Sequence, residues 1–159
     1  MTSDFDERLR RLEDERAIER TLYRYAHAQY DGDRDKFLDC FTDDAVIERT
    51  RHERVVVGRD AIAAFFDANT HKPVAYHKHA VIEPLIEIDG DTATVSSDFL
   101  YVQNRYGGPM ISHFGHYADE LVRCPDGAWR FRRRAVQTEA TSTRDVTTIS
   151  GEPGDPVTS

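Results

Sequence analysis

Two histidines spaced two residues apart, His77 and His79, are the first groups in this chain with the type and spacing for chemistry. On an extended strand they share a face, so pattern alone leaves open which of them turns toward a ligand. An imidazole titrates near neutrality and can take a proton from carbon or from water. Upstream stand the phenols Tyr25 and Tyr30, with the carboxylate Asp31 directly after the second. A phenol titrates near a pH of about 10, so it can orient a histidine or donate to a carbonyl oxygen, but it supplies no negative charge. The run Arg130, Arg132, Arg133 and Arg134 offers guanidinium groups able to hold a carboxylate, although part of such a row must reach solvent. His113 and His116 fall on opposite faces of their own strand. Convergence of His77, His79 and His116 would be the route to a metal site; no carboxylate is set with them, and no metal is expected. The chain lacks a phosphate-cradling glycine loop, a nucleophile elbow and a Cys-x-x-Cys pair.

The elements that must position these groups follow from hydrophobic periodicity. Over residues 6–30, Leu9, Leu12, Ile18, Leu22, Tyr25 and Ala26 recur at three- and four-residue steps, which predicts an amphipathic helix ending at Asp31-Gly32-Asp33. A short helix at 34–40 carries Phe37 and Phe41 to a core and ends in Thr42-Asp43-Asp44. Strands at 45–48 and 54–57 enclose a charged turn at 49–53. Gly58-Arg59-Asp60 opens a third helix with Ile62, Phe65 and Phe66 on one side, fading into a loop at 69–74. From there the period is two: strands are predicted at 76–88, 92–104, 111–123 and 129–137, joined by turns at Asp89-Gly90-Asp91, Gly107-Gly108-Pro109 and Pro125-Asp126-Gly127. Short connections imply an antiparallel sheet with the helices on one face, an α+β domain. Along the strand at 92–104, Ala93, Val95, Ser97, Phe99, Tyr101 and Gln103 form one face; as the concave one it would give a mainly apolar pocket with a few hydroxyls and an amide. Asp98 would then face out.

The 159 residues suit one domain, with a Thr/Ser/Asp/Gly/Pro-rich flexible tail expected at 138–159. The formal charge of −8, from 29 acidic and 21 basic residues, argues against nucleic acid or an anionic membrane as a partner. No stretch nears the roughly 20 apolar residues of a membrane span, and the charged start does not read as a secretory signal, so a cytoplasmic location is expected. Cys40 and Cys124, far apart, read as packing residues.

Several landmarks resemble the SnoaL-like branch of the nuclear transport factor 2-like superfamily: Tyr25-Ala26, Phe41-Thr42-Asp43-Asp44-Ala45, Gly58-Arg59-Asp60-Ala61-Ile62, Ile88-Asp89-Gly90-Asp91-Thr92-Ala93 and Asp126-Gly127-Ala128-Trp129-Arg130. They stand in family order over residues 12–136. The resemblance implies a cone-shaped α+β barrel, about three N-terminal helices packed on a strongly curved antiparallel sheet, spanning 1–137. It further implies no cofactor and self-association as a homodimer or homotrimer, with Leu100 and Val102 on the outward face. In the branch holding scytalone dehydratase and hexachlorocyclohexane dehydrochlorinase a histidine is the general base, and counting back from Pro84 and Ile86-Glu87-Ile88 puts His79 there. Counting from Tyr25 and from Phe41 places Tyr30 where those relatives have the aspartate that orients the histidine. Asp31 lies about 100° further round the helix. Arg134, five residues past Trp129, matches an arginine facing the site, and His116 matches a polar pocket residue.

The fold hosts many activities, so the pocket must decide among them. The expectation is a cofactor-independent lyase of dehydratase type, or an isomerase or cyclase, acting on a small apolar cyclic or polyketide-like metabolite. His79 would move the proton, with Tyr30, Tyr25 and Arg134 at the oxygen and Asp31 as reserve partner of His79. His77, Ser97, Phe99, Tyr101, Gln103 and His116 complete the expected pocket. The alternatives are a non-catalytic small-molecule-binding or assembly module and an epoxide hydrolase, the latter needing Asp31 or Asp98 inside.

Overall fold

The computed structural model describes residues 3–50, 53–69, 77–105 and 108–142. Helix α1 (Asp4–Asp31) begins where Ser3 caps Asp6 and Asp6 reaches back to the Ser3 backbone, a reciprocal capping box. It ends where Gly32 takes the left-handed conformation, φ 70°, that a residue with a Cβ resists. Its buried stripe starts only at Asp14 and continues through Ile18, Leu22, Tyr25 and Ala28; Leu9 and Leu12, assigned to that stripe from periodicity, are exposed because the first turns overhang the sheet. Helix α2 (Arg34–Leu38), capped by Asp33, presses Phe37 into the core. Strand β1 (Phe41–Arg49) starts earlier than its apolar residues suggest and takes in Thr42-Asp43-Asp44, since Phe41 already pairs with Phe131. Strand β2 (Arg54–Val57) and helix α3 (Arg59–Asn69) follow.

Four long strands complete the domain: β3 (His77–Asp89), β4 (Thr92–Arg105), β5 (Gly108–Arg123) and β6 (Trp129–Thr141). The sheet runs β2-β1-β6-β5-β4-β3, and every pairing is antiparallel except β1 with β6. That parallel pair corrects the all-antiparallel expectation: helix α3, between β2 and β3, carries the chain to the far edge of the sheet, so that β6 comes back beside β1 in the same direction. The result is three helices packed on a curved six-stranded open sheet. Residues 138–141, assigned to the tail from composition, extend β6; residues 143–159, 70–76 and 106–107 lie outside the described residues, and with them most of the loop expected at 69–74 and part of the turn expected at 107–109. No helix among the described residues is long and apolar enough to cross a membrane.

Bulges set which side chains enter the cone. At Glu83, φ 47°, the β3 register shifts between Ile82 and Leu85, so that odd-numbered His77 and His79 and even-numbered Ile86 and Ile88 all face the helices. In β6 the register shifts between Phe131 and Arg133, turning Arg134 and Val136 inward although Trp129 and Phe131 are inward too. Gly115 lies where β5 and β6 approach so closely that a Cβ would collide with the Gln137 carbonyl.

The narrow end of the cone is closed by Leu121, Phe131, Trp129, Ala93 and Val95. There Asp14 accepts two hydrogen bonds from Arg123 and one from Trp129 Nε1, tying α1 to the sheet. Burial alone would raise the Asp14 carboxyl, but these donors hold it below its ordinary value.

Candidate functional site

A cavity of about 190 Å³ opens between α1, α3 and the concave sheet face, away from the narrow end. Its apolar wall is Phe37, Ile47, Phe65, Phe66, Phe99 and Val136; its polar groups are Tyr25, Gln29, Arg49, His77, His79, Tyr101, Gln103, His113, Tyr117 and Thr138.

His79 is held from both sides. Its Nδ1 lies 2.9 Å from Gln29 Oε1 and its Nε2 lies 2.5 Å from the Tyr117 hydroxyl. An amide oxygen only accepts, so Nδ1 carries the proton and Nε2 accepts from Tyr117. Tyr25, Phe99 and Tyr101 stand edge-on around the ring. Burial, and after it the positive charge of Arg134, pull the imidazolium down to about 3, so His79 is neutral at pH 7. The Tyr117 phenol is pushed up by burial first, then by Tyr25; Tyr25 is raised by burial against the opposing charge of Arg134. All three groups are therefore uncharged at neutral pH. Tyr101 is sandwiched between His77 and His113, with ring centroids 5.2 and 4.5 Å away, forming an aromatic shelf across three strands.

The structure brings together His79, Tyr25, His77, Phe99, Tyr101 and Gln103, as expected of one cavity. It separates the others. Tyr30 is not the partner of His79: that place belongs to Gln29, one residue earlier, and Tyr30 turns to Lys78 and His27. A one-residue difference rotates a helical side chain by about 100°, so the count along α1 missed the inward position. Asp31 is exposed and lines no part of the cavity. His116 faces outward, bonded to Asp98 and Ser96, because inward positions of β5 are odd-numbered there; His113 and Tyr117 take the cavity side. Ser97 is buried on the concave face but below the cavity.

Arg134 is the largest correction. It points into the cone, yet it is 0% exposed and lines no cavity wall. Its Nε and Nη2 donate to the two carboxylate oxygens of Asp119 at 2.8 and 2.7 Å. Its guanidinium carbon lies 4.1, 4.0 and 4.2 Å from the ring centroids of Tyr25, Tyr117 and Phe131. Burial alone would lower this group, but the Asp119 carboxylate beside it raises it above its ordinary value. Arg134 is thus the charged floor beneath the two tyrosines.

Sequence reasoning missed Gln29, Tyr117, Arg49 and His113 as site residues. Alternation along β5 sets His113 and Tyr117 on one face and His116 on the other, but the polar Asp119 on the first and the apolar Phe114, Ala118 and Val122 on the second leave no signal for which face is inward. Among the described residues no group of three or more His, Cys, Asp or Glu side chains is placed to hold a metal ion.

A curved sheet closed by three helices around a hydroxyl- and imidazole-lined cavity defines a cone-type pocket domain. The chain belongs to the SnoaL-like domain family, whose model matches residues 10–135. Its fold is similar to that of an NTF2-like protein with a cystatin-like fold from Novosphingobium aromaticivorans (25% identity, 90% of this chain and 94% of the other, TM-score 0.79). It is also similar to an Rv3472 variant, a protein of unknown function from Mycobacterium tuberculosis (28% identity, 86% and 76% covered, TM-score 0.73). A candidate scytalone dehydratase from Novosphingobium aromaticivorans shares the fold at 24% identity (86% and 91% covered, TM-score 0.70). No curated protein matches the chain in sequence.

Proposed function

We propose that the protein is a cofactor-independent lyase of dehydratase type, or an isomerase, acting on a small cyclic metabolite by proton transfer through His79. The observation that carries this reading is the Gln29–His79–Tyr117 hydrogen-bond chain on the cavity wall. A substrate carbonyl entering beside Tyr117 draws its hydroxyl away from Nε2, leaving that nitrogen free to accept the proton α to the carbonyl. Tyr117 and Tyr25 then hold the enolate oxygen, and His79 returns the proton to a departing β-hydroxyl, which leaves as water, or to another ring carbon.

With an amide in place of a carboxylate beside it, His79 is a weak base. The substrate must therefore be acidic at carbon, as in a 1,3-dicarbonyl ring or one that gains aromaticity on losing water. The cavity is smaller than the roughly 300–1,000 Å³ of drug-sized sites, which favours one or two rings.

Deuterium exchange at the α-carbon of cyclic 1,3-diketones and β-hydroxycyclohexanones, followed by NMR in D₂O, tests the reading. The protein is expected to accelerate it and His79→Gln to lose about 100-fold or more of the acceleration. A wild type that accelerates none of the panel, or a variant that works equally well, defeats the proposal. The second reading, a non-catalytic small-molecule-binding module, draws on the same weak basicity of His79, and saturable binding without exchange would favour it. Hydrolysis of an epoxide needs a carboxylate at the water; Asp31 and Asp98 are both exposed and line no part of the cavity.

The outward face suits self-association. Half-buried Leu100 and Val102 adjoin exposed Phe114 and Ile111 through the β4–β5 ladder, an apolar patch a second copy would cover. Sedimentation showing a monomer across the micromolar range would remove this part.

A further inference from the structure

Arg49 is the last residue of β1 and continues the inward face of Ala45 and Ile47 onto the cavity wall. Among the described residues, every other arginine that is not exposed has a carboxylate partner: Arg123 with Asp14, Arg130 with Asp39, Arg133 with Glu48 and Arg134 with Asp119. Arg49 has none; its neighbour Glu48 is engaged by Arg133 on the other face. Its contact is the ring of Phe65, 5.8 Å from the guanidinium carbon.

The strand pairing sharpens the point. Arg49 stands directly opposite Arg54, which lies 5.7 Å from the same ring, and like charges in opposed positions destabilise a ladder. Two guanidinium groups thus lie near one phenyl ring, and that of Arg49 lines the cavity, in a chain whose formal charge is −8. An anion bound at Arg49 would relieve the repulsion, and a planar carboxylate matches the donor fork of a guanidinium.

We propose that Arg49 anchors a carboxylate of the ligand, so that the cavity takes small cyclic acids, with the ring packed among Phe65, Phe66 and the Tyr101 shelf and the reacting carbonyl directed to His79. This deepens the proposed function and rests on its cavity, but its test does not require turnover.

Isothermal titration of the whole protein with benzoate, cyclohexanecarboxylate and the matching neutral amides reads the anchor. Each acid is expected to bind at least 10-fold tighter than its amide. Arg49→Met should remove that preference while leaving amide binding within 2-fold, and Arg54→Met should reduce it less. His79→Gln should leave the preference intact, so a failed exchange assay alongside an intact acid preference defeats the catalytic reading and keeps the anchor. Equal binding of acid and amide by wild type, no binding of either at millimolar concentration, or an undiminished preference in Arg49→Met overturns the proposal.

Discussion

Arg134 and Arg49 stand on adjoining strands, Arg134 beside Ile47 and Arg49 one inward step nearer the open end, and their surroundings are opposite. Arg134 is sealed from water, bonded twice to Asp119 and enclosed by three aromatic rings. Arg49 keeps access to the cavity and has no carboxylate partner among the described residues. A charge without solvent must be compensated inside the protein, because leaving it bare costs several kcal/mol; a charge facing a wet cavity is compensated by water until a ligand arrives. The ion-paired, sealed group is therefore the structural one, and the group with no carboxylate partner beside the open space is the one free to recognise something else.

The largest test of this contrast is Arg134→Met, which strands the Asp119 carboxylate in the core. It is expected to lose about 3–5 kcal/mol of stability in urea denaturation. Adding Asp119→Leu should recover most of the loss, since the penalty comes from the orphaned charge. A single variant costing under about 1 kcal/mol would show that the pair does not organise the core.

The uncharged state of His79 can be probed by pH. Burial lowers the His79 pKa to about 3 in the fold against the ordinary histidine value of about 6.5, so between those values the unfolded chain binds the additional proton. Stability should fall as the solution is acidified from pH 7 to 5, by about 2 kcal/mol from this residue. His79→Gln should flatten that slope, and an unchanged slope would mean that His79 is not held neutral. A smaller effect, about 1 kcal/mol, is expected for Tyr117→Phe, which removes the hydroxyl bonded to Nε2. Smallest of all, Arg49→Met should shift stability by no more than about 0.5 kcal/mol. A loss approaching that of Arg134→Met would erase the distinction between the two arginines.

Much of this arrangement was legible in the chain. The order of elements and the shared face of Ala93 to Gln103 follow from period and turn chemistry, whereas the choice of His79 over His77 rests on the family resemblance, and both histidines line the cavity. Gln29 and Tyr117 escaped because each lies one residue from the position a register count selected, Tyr30 and His116. Register counting carries no protection against such slips, since one residue rotates a helix by about 100° and reverses a strand. Arg134 shows the converse: simple alternation places it with Arg130 and Arg132, and only the β6 bulge turns it inward.

The sequence by itself determined the family, the helix and strand order and the apolar faces, because periodicity and turn residues act locally. Tertiary structure decided which arginine is neutralised, which hydroxyl meets His79 and which end of the cone stays open. Those outcomes depend on bulges and on partners such as Asp119, 15 residues from Arg134, or Tyr117, 38 residues from His79. Only a folded sheet brings such residues within hydrogen-bonding distance and excludes the water that would otherwise mask their charges.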